Sequence, residues 1–297
     1  MCEIVFVVLH YITLDDTVEC VGSIRNKCGK EKYKIVIVDN ASPNASGLEL
    51  QKLYGEAKDV DLVLLQENLG FAKGNNAGID IAREKYAPDF IAVMNNDVVL
   101  LQEDTISIIR EEYSKINFSV LGPMIYTADG RCDDNPGRNS LMSVEEIDNI
   151  ISENKKSIFL CKWHLWKAYR LLEVIKKRVL HIEEKNMGSG GYVHKKYLDR
   201  AENVQLHGCF LCFSKNYFEH YDGFFPNTFL YMEEDILFYL TQKENLTTVY
   251  TPKLKIYHKE DSASKSRWTS DKERAIKKAQ FVLESAIEFK KIHVDKL

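Results

Sequence analysis

The segment Phe90–Leu101 carries side chains with a clear capacity for chemistry. Its apolar start leads into Asn95, Asn96 and Asp97, and the chain then becomes apolar again. This pattern predicts a buried strand that delivers polar groups to the carboxyl edge of a sheet, where α/β proteins bind ligands. Asp97 would supply a charged oxygen ligand, and the two amides would orient a sugar or a diphosphate. The alternative is an ordinary turn, which Asn and Asp also favour.

A second group of acids lies in the other half of the chain. The run Phe229–Met232 is followed by Glu233, Glu234 and Asp235. Acids suit the start of a helix because of the helix dipole alone. Apolar and aromatic neighbours would also desolvate a carboxylate and raise its pKa, as a general base needs, so both interpretations stay open. His258 ends another apolar stretch and is either structural or a ligand.

Alternating strands and helices position these groups in the first half of the chain. Apolar runs predict strands at Ile4–Leu9, Lys34–Val38, Asp61–Gln66, Phe90–Leu101 and Val120–Tyr126. Helices are predicted at about 15–25, 47–57 and 103–116, with another that ends near Tyr86. This β-α-β-α-β order implies right-handed crossovers. The predicted fold class is therefore α/β, with a mostly parallel central sheet flanked by helices.

Polar clusters follow the first four predicted strands, and parallel pairing would bring them to one edge of the sheet. They are His10–Thr13, Asp39–Ser42, Asn68–Asn75 and Asn95–Asp97. A nucleotide pocket needs such convergence, which coincident turns explain poorly. In the third cluster, glycines permit close approach of a ligand and the free amides of a helix start attract an anion. Close helix packing is the alternative for these glycines, whose spacing fits neither a Walker loop nor a dinucleotide fingerprint.

The second half of the sequence is less regular. From Ala128 to about Asn203 it is polar and turn-rich, with one amphipathic basic helix predicted at Leu165–Leu180. This helix would either lie on an anionic membrane surface or pack on the sheet domain with a solvated basic face. Later strands are predicted at Gln205–Phe213, Thr247–Val249 and Lys255–His258, and helices at about 233–243 and after Asp271. His207 and Gly208 would let a ligand approach the backbone.

The composition is that of a soluble globular protein. The 297 residues include 44 acidic and 40 basic side chains, so no global field would attract nucleic acid or membrane. The amino terminus lacks the features of a signal peptide, which favours the cytosol. Seven cysteines without a regular framework indicate reduced thiols. Cys209 and Cys212 are expected to be buried packing residues rather than a metal or redox pair.

In their order and spacing, several short motifs resemble family 2 glycosyltransferases of the GT-A type, particularly a bacterial rhamnosyltransferase-like branch. The resemblance covers about Ile4–Ser264, apart from the variable segment Asp129–Asn203. It rests on Val38–Ser42, Asn68–Gly78, Asn95–Val98, Phe229–Tyr231 with Glu233–Asp235, and His258 with Ser262 or Ser264. It implies a GT-A (Rossmann-like) fold with a helical insertion and a C-terminal helix.

The resemblance also implies how the chain is divided. Residues 1–127 would form the nucleotide-sugar-binding half of the domain, and residues 204–264 the acceptor and catalytic half. Residues 128–203 would be a variable basic insertion on the acceptor or membrane side, and residues 265–297 a C-terminal helix.

The matching residues acquire roles from the same resemblance. Asp97, at the family's Asp-x-Asp position, would ligate Mg²⁺ or Mn²⁺ on the donor diphosphate, and His258 would supply a further contact, either as a metal ligand or to the diphosphate. Asn95 replaces the first Asp of that motif, which is expected to weaken metal binding. The catalytic base is Glu234 when Phe229–Tyr231 is the anchor, or Asp235 when Glu234 and Asp235 are read as the family's Glu-Asp motif.

Binding roles follow in the same way. Asp39 would hydrogen-bond the base of a nucleotide-sugar donor. The predicted donor-binding set is His10, Tyr11, Asp39, Asn40, Ser42, Asn68, Gly70, Lys73, Asn75, Asn95, Asn96 and Asp97. The predicted acceptor-binding set is His207, Gly208 and Glu233.

The expected function is inverting sugar transfer from dTDP-rhamnose or a UDP-sugar to a glycan or polyprenyl-diphosphate-linked acceptor, in assembly of a bacterial surface polysaccharide. The enzyme would be cytoplasmic, with peripheral contact at the inner face of the cell membrane and no nucleic-acid partner. A non-catalytic nucleotide-sugar-binding module, with Asp97 marking a decayed site, is the alternative. A nucleotidyltransferase is disfavoured because no basic Gly-rich triphosphate loop appears near the first strand.

Overall fold

The computed structural model describes residues 2–132, 134–162, 196–259 and 270–294. The strands in these ranges are β1 Ile4–His10, β2 Tyr33–Asp39, β3 Val60–Leu64, β4 Phe90–Asn95, β5 Val98–Leu100, β6 Val120–Thr127, β7 Ala201–Glu202, β8 Phe210–Ser214 and β9 Thr248–His258. The helices are α1 Leu14–Cys28, α2 Ser46–Tyr54, α3 Gly70–Tyr86, α4 Thr105–Ile116, α5 Val144–Lys162, α6 Lys215–Phe218, α7 Glu233–Lys243 and α8 Asp271–Val294. Lys196–Leu198 forms a short 3₁₀ helix.

The strands of the described ranges form one sheet in the order β3-β2-β1-β4-β8-β6-β9-β5, with β7 added beside β9. β1 to β4 are parallel, whereas β8 runs antiparallel to both β4 and β6. The central strands β1 and β4 are apolar up to their last residues, His10 and Asn95, as expected for strands that are buried on both faces. The register places His10 beside Asp39 and Leu9 beside Asn95. The α/β fold class with a central sheet flanked by helices is confirmed, and the carboxyl ends of β1, β2 and β4 meet at one edge.

The stretch Phe90–Leu101 forms two strands rather than the single one predicted. β4 pairs with β1, whereas β5 pairs antiparallel with β9 at the far edge of the sheet. The change of partner occurs at Asn96, whose Nδ2 donates to Thr13 Oγ1 (2.8 Å) and Thr17 Oγ1 (2.9 Å) at the start of α1. These bonds fix the turn, so that Asp97 lies between two strands of one sheet.

The strand predicted at Gln205–Phe213 begins only at Phe210. His207 and Gly208 therefore lie in the loop before β8, not within a strand. The physical reason is that the Gly208 amide donates to the Glu234 side chain instead of to a neighbouring strand. β9, by contrast, is continuous where two separate strands were predicted, with a register shift opposite the Pro123–Met124 step of β6.

Two long helices pack beside the sheet. The C-terminal helix α8 was predicted, but α5 was not, because its few apolar positions stand among many charged and polar ones. Ile147 of α5 is fully buried in a cluster with Ile236 of α7 and with Ala286 and Phe289 of α8. α5, α7 and α8 therefore pack together around one hydrophobic cluster. The basic helix predicted at Leu165–Leu180 lies outside the described residues.

α3 packs closely on the sheet because glycines lie on its inner face. A Cβ on Gly78 would lie 2.4 Å from Val7 Cγ1 and 2.9 Å from Val38 Cγ2. A Cβ on Gly74 would lie 2.8 Å from Leu9 Cδ1. Close helix packing therefore accounts for these two glycines, as the alternative interpretation held, and only Gly70 of the three adjoins the candidate pocket.

Replacing Gly78 by Ala is expected to lower the free energy of unfolding by about 1–3 kcal/mol, because the added methyl group pushes α3 away from β1 and β2. Gly22→Ala in α1 is the matched control, since a Cβ there meets no atom within 4 Å. That change should raise stability by about 0.5–1 kcal/mol, because alanine is the better helix former. Urea unfolding measures both variants. Equal stability of Gly78→Ala and wild type would contradict the close packing of α3.

Neither a membrane span nor a disulfide is found in the part of the chain described. No helix there combines the length and apolar character needed to cross a bilayer. All seven cysteines are free thiols. Cys209 and Cys212 are buried in the apolar core, so the prediction that they are packing residues is confirmed.

Candidate active site

A cavity of about 600 Å³ opens where β1 and β4 end. The parts of the chain that meet there include the loop that leads into α3, the turn after β4, and the first residues of α7. The lining residues are Leu9, Tyr11, Asn40, Asn68, Gly70, Phe71, Asn95, Asn96, Asp97, His207, Gly208, Cys209, Phe229, Leu230, Tyr231, Met232, Glu233, Glu234, His258, Arg274, Lys278 and Phe281. The fold thus brings the predicted metal-binding turn and the predicted base to one cavity.

Asn40 fixes the loop that leads into α3. Its Nδ2 donates to the Gly70 carbonyl (2.9 Å), and its Oδ1 accepts from the Leu69 amide (2.8 Å). Gly70 has a φ of +79°, and a Cβ there would lie 2.2 Å from the Phe229 carbonyl oxygen. The Phe71 amide donates to that same oxygen (2.7 Å). Only glycine permits this close approach. The loop at Gly70, on the predicted nucleoside side of the pocket, is thus hydrogen-bonded directly to the segment that precedes Glu233–Asp235.

Asp39 lies behind this wall of the cavity. Its Oδ1 accepts from the Ser42 amide (3.1 Å) and from Ser42 Oγ (2.5 Å). His10, which is fully buried, bonds through its two ring nitrogens to Thr17 Oγ1 (2.6 Å) and Ser46 Oγ (2.7 Å). Burial lowers the pKa of His10 to about 4. His10 is therefore neutral and does not line the cavity, and its assignment to the donor-binding set stays a prediction.

Four other members of the predicted donor-binding set do not line the cavity: Asp39, Ser42, Lys73 and Asn75. Asn75 is fully buried in α3, where its Nδ2 donates to the Phe71 carbonyl (3.0 Å). Its Oδ1 is buried without a hydrogen-bond partner among the described residues, and its assignment to the donor-binding set stays a prediction. Lys73 is exposed on the surface of α3. The roles of Asp39 and Ser42, one layer behind the lining, stay predictions.

Asp97 and His258 form a polar pair at one end of the cavity. His258 Nε2 lies 3.3 Å from Asp97 Oδ1, and both side chains are about one-tenth exposed. One oxygen and one nitrogen donor at this separation fit a divalent cation that takes its other ligands from water and phosphate. Over the described ranges no group of three metal-ligating side chains is present. Among the described residues, Asp97 and His258 are therefore the pair that could hold such a cation.

Glu234 and Asp235 have different surroundings. Glu234 lines the cavity, where its Oε1 accepts from the Gly208 amide and lies 3.7 Å from His207 Nδ1. Asp235 does not line it, and its Oδ1 accepts from Gln205 Nε2 (2.9 Å). Of the two candidates that the sequence left open, Glu234 has the position of a base that can reach an acceptor.

Glu233 adds a third carboxyl group to the cavity, besides those of Asp97 and Glu234. Its side chain is largely buried, and its Oε1 has no hydrogen-bond partner among the described residues. Burial raises the pKa of Glu233 to about 7, and the neighbouring charge of Glu234 adds to this. Glu233 therefore holds a proton over part of the neutral range. In that form it can both donate to and accept from a ligand hydroxyl.

The raised pKa of Asp235 predicts a measurable effect of pH on stability. Burial raises this pKa to about 6 from the ordinary 3.8, so the folded protein loses stability as pH rises through that window. Asp235→Asn keeps the acceptor for Gln205 and removes the charge. From about pH 4 to pH 7 the variant should gain up to about 3 kcal/mol relative to wild type, as urea unfolding would show. A difference that does not change with pH would contradict the burial of this carboxylate.

The three acidic residues Glu233–Asp235 follow two consecutive residues whose backbone is in the left-handed region. Tyr231 has a φ of +75° and Met232 a φ of +67°. Such a conformation costs about 1–3 kcal/mol for each non-glycine residue and persists only where packing enforces it. Here the Ser285 hydroxyl donates to the Leu230 carbonyl (3.2 Å), and Lys278 Nζ lies 5.4 Å from the Tyr231 ring centre. Strain of this kind is typical of functional sites.

Residues of α8 line the cavity although the sequence analysis assigned none of them to the site. They are Arg274, Lys278 and Phe281. Their spacing of four and three residues places them on one helical face, and this face is the signal that would have identified them. The Phe281 ring stacks on Phe229 with 4.8 Å between centroids. α8 thus forms a wall of the cavity.

Comparisons with known proteins give the family and the fold that this chain resembles. The family model described as Glycosyl transferase family 2 matches residues 6–172, which is more than half of the chain. No curated protein matches the sequence.

Solved structures of TarS from S. aureus share the fold. One has a TM-score of 0.53 and 12% identity over 86% of this chain and 36% of that chain. TarS 1–349 has a TM-score of 0.52 and 10% identity over 99% of this chain and 73% of that chain. TarS 1–349 in complex with UDP-GlcNAc aligns over 43% of this chain and 36% of that chain, with a TM-score of 0.37 and 17% identity. This chain spans about a third of the length of two of these TarS chains. The likeness shows the fold, and it confirms the predicted GT-A type.

Proposed function

Because the chain belongs to glycosyl transferase family 2, we propose that it transfers a sugar from a nucleotide-sugar donor to an acceptor hydroxyl. The observation that carries this proposal is the single cavity lined by both Asp97 and Glu234. Transfer needs stabilisation of the diphosphate that leaves and a base for the hydroxyl that attacks. Residues suited to both needs lie in the same cavity.

Glu234 acts as the general base in this proposal. Its carboxylate takes the proton of the acceptor hydroxyl, whose oxygen bonds to the anomeric carbon as the bond from that carbon to the diphosphate breaks. Attack opposite the leaving group inverts the configuration, and no covalent enzyme intermediate forms. The Gly208 amide, which donates to Glu234 Oε1, holds the carboxylate in place. Glu233, with its unpartnered oxygen, orients the acceptor.

Asp97 and His258 would hold Mg²⁺ or Mn²⁺ in this scheme. Their separation and burial fit such an ion, and Asn95 beside them adds a neutral oxygen. The bound ion would neutralise the negative charge that develops on the diphosphate as it leaves. Asn95 and the main chain around Asp97 would then orient the diphosphate without adding repulsion.

The finer identity of donor and acceptor comes from the resemblance of the short motifs. It supports dTDP-rhamnose or a UDP-sugar as donor, within the rhamnosyltransferase-like branch. It also supports a glycan or polyprenyl-diphosphate-linked acceptor in surface polysaccharide assembly, with peripheral membrane contact.

A thermal-shift screen of nucleotide sugars in the presence of Mn²⁺ tests the proposal. A preferred donor should raise the melting temperature by mass action, since ligand at 100 times its Kd adds about 2.7 kcal/mol of stability. The same compound without Mn²⁺ should shift it less. If no dTDP- or UDP-sugar stabilises the protein, while unrelated ligands such as NAD or ATP do, the proposed function is wrong.

A non-catalytic nucleotide-sugar-binding module is the second candidate. The observation in its favour is Asn95, which leaves the Asp-x-Asp position with one carboxylate and a small metal-ligand set. Such a module would bind the donor found in the screen without turning it over. Release of free nucleoside diphosphate in the presence of a panel of glycan and polyprenyl-diphosphate acceptors separates the two, because only an enzyme produces it at more than the background rate.

A further inference from the structure

Two cationic side chains reach the cavity from α8. Arg274 and Lys278 are one helical turn apart, and both line the cavity together with Phe281. Within residues 2–132, 134–162, 196–259 and 270–294, no carboxylate forms an ion pair with Arg274 or Lys278. In the same ranges they are the only lysine or arginine residues that line the cavity.

α8 is held rigidly against the catalytic elements, so this pair of charges has a fixed place. Ala286 and Phe289 are fully buried against α7, the helix that begins with the three acids. The Phe281 ring stacks on Phe229, whose carbonyl accepts from the Phe71 amide of the donor-side loop. Lys278 Nζ lies 5.4 Å from the ring centre of Tyr231, a cation–π distance.

Neither helix stability nor local ion pairing explains why positively charged residues occupy positions 274 and 278 of α8. Arg274 lies in the first turn of α8, where the helix dipole disfavours a positive charge. The remaining charged groups of the lining are acids: Asp97, Glu233 and Glu234. A phosphate group entering this cavity would be repelled by those carboxylates unless positive charge offset them. Arg274 and Lys278 place two such charges on the facing element.

We propose that Arg274 and Lys278 form a phosphate-binding subsite of the cavity. The subsite rests on the proposed function only for the identity of its ligand. In sugar transfer a phosphate group has two sources, the diphosphate of the donor and the phosphate of a lipid-linked acceptor. Both present the same oxyanions, to which the guanidinium donates two parallel hydrogen bonds and the ammonium provides a point charge.

Calorimetric titration of inorganic pyrophosphate into the full-length protein tests the subsite. EDTA in the buffer removes divalent ions, so that direct contacts alone are measured. The doubly substituted protein, with Arg274→Gln and Lys278→Gln, should bind pyrophosphate at least tenfold more weakly than wild type. Lys277→Gln is the matched control, because Lys277 is exposed on the same helix but does not line the cavity. It should bind like wild type.

Two further ligands distinguish the sources. UDP represents the donor, and farnesyl diphosphate represents a polyprenyl-linked acceptor. A tenfold loss for UDP in the double variant assigns the subsite to the donor, and a loss for farnesyl diphosphate assigns it to the acceptor.

Three results would overturn the subsite. These are no pyrophosphate binding by wild type, equal affinity in wild type and the double variant, or an equal loss in Lys277→Gln. The subsite and the proposed function can fail separately. If nucleotide sugars fail to bind, but the double variant binds pyrophosphate more weakly than wild type, the subsite is supported and the proposed function is wrong. If wild type and the double variant bind nucleotide sugars and turn them over equally, the proposed function is supported and the proposed subsite is wrong.

Discussion

The Glu234→Gln protein is expected to transfer sugar about 10²- to 10⁴-fold more slowly than wild type, with unchanged donor affinity. Gln keeps the length of the side chain and an acceptor for the Gly208 amide. The amide of the glutamine, unlike the carboxylate of Glu234, cannot take a proton from the acceptor hydroxyl. Because the lost interaction belongs to the chemical step, kcat should fall while the donor KM stays near its wild-type value. Steady-state kinetics with the donor found by thermal shift measure both constants.

Asp235→Asn is the matched control for this change. It also removes one carboxylate from the start of α7, but one that does not line the cavity. Its transfer rate should stay near that of wild type, even though the difference in stability between the two proteins changes with pH as described above. If Asp235→Asn abolished transfer and Glu234→Gln did not, the Glu-Asp alignment of the motif would be right and the base would be Asp235.

The first half of the fold could be predicted because its signals are local. Continuous apolar strands such as Ile4–His10 and Tyr33–Asp39 alternate with amphipathic helices. Parallel pairing then brings the carboxyl ends of β1 and β2 to one edge, whatever the details of packing. The turn at Asp97 and the loop at Gly70 could be placed at one pocket on this basis. That Glu234 lies near Asp97 could be predicted only from the family resemblance, since no sequence periodicity links the two halves of the chain.

Ligand-facing side chains could not be separated from supporting ones by sequence. Asn95 and Asn96 have identical chemistry, yet the Asn96 amide is occupied by the hydroxyls at the start of α1. Gly70 and Gly78 likewise belong to one spacing pattern. The first meets the Phe229 carbonyl, and the second meets the side chains of β1 and β2. Which partner each residue meets is a property of tertiary packing, so residue type and spacing alone leave both roles open.

The α8 wall of the cavity was missed for a related reason. An amphipathic helix at the end of a chain is compatible with any buried surface, and its sequence does not specify which one. Only the docking of Phe289 beside α7 brings Arg274 and Lys278 to the cavity, with Lys278 over the ring of the strained residue Tyr231. Positive φ at those two bulky residues is also unreadable from sequence, because neither residue type favours it.

Metal dependence is the second property for which a large effect is expected. Asp97→Asn should remove the stimulation of transfer by Mn²⁺ and slow the metal-dependent rate by more than about 100-fold, since Lewis-acid stabilisation is worth several kcal/mol. Asn preserves the shape of the side chain and an oxygen beside His258 Nε2, so the fold should be retained. Transfer rates across a Mn²⁺ titration, with melting curves as a check of folding, measure the effect.

Asn95→Asp tests the same site in the opposite direction. Asn95 lines the cavity beside Asp97, so the change supplies the carboxylate that the family's Asp-x-Asp position usually has. Because carboxylates are strong ligands for hard cations, Mn²⁺ affinity should rise, as the electron paramagnetic resonance signal of free Mn²⁺ would report without any turnover. Unchanged Mn²⁺ binding in both variants, together with full wild-type activity in a chelator, would contradict the metal role. The cations of α8 would then be left to offset the diphosphate charge, while the assignment of Glu234 as base would stand, because taking a proton requires no metal.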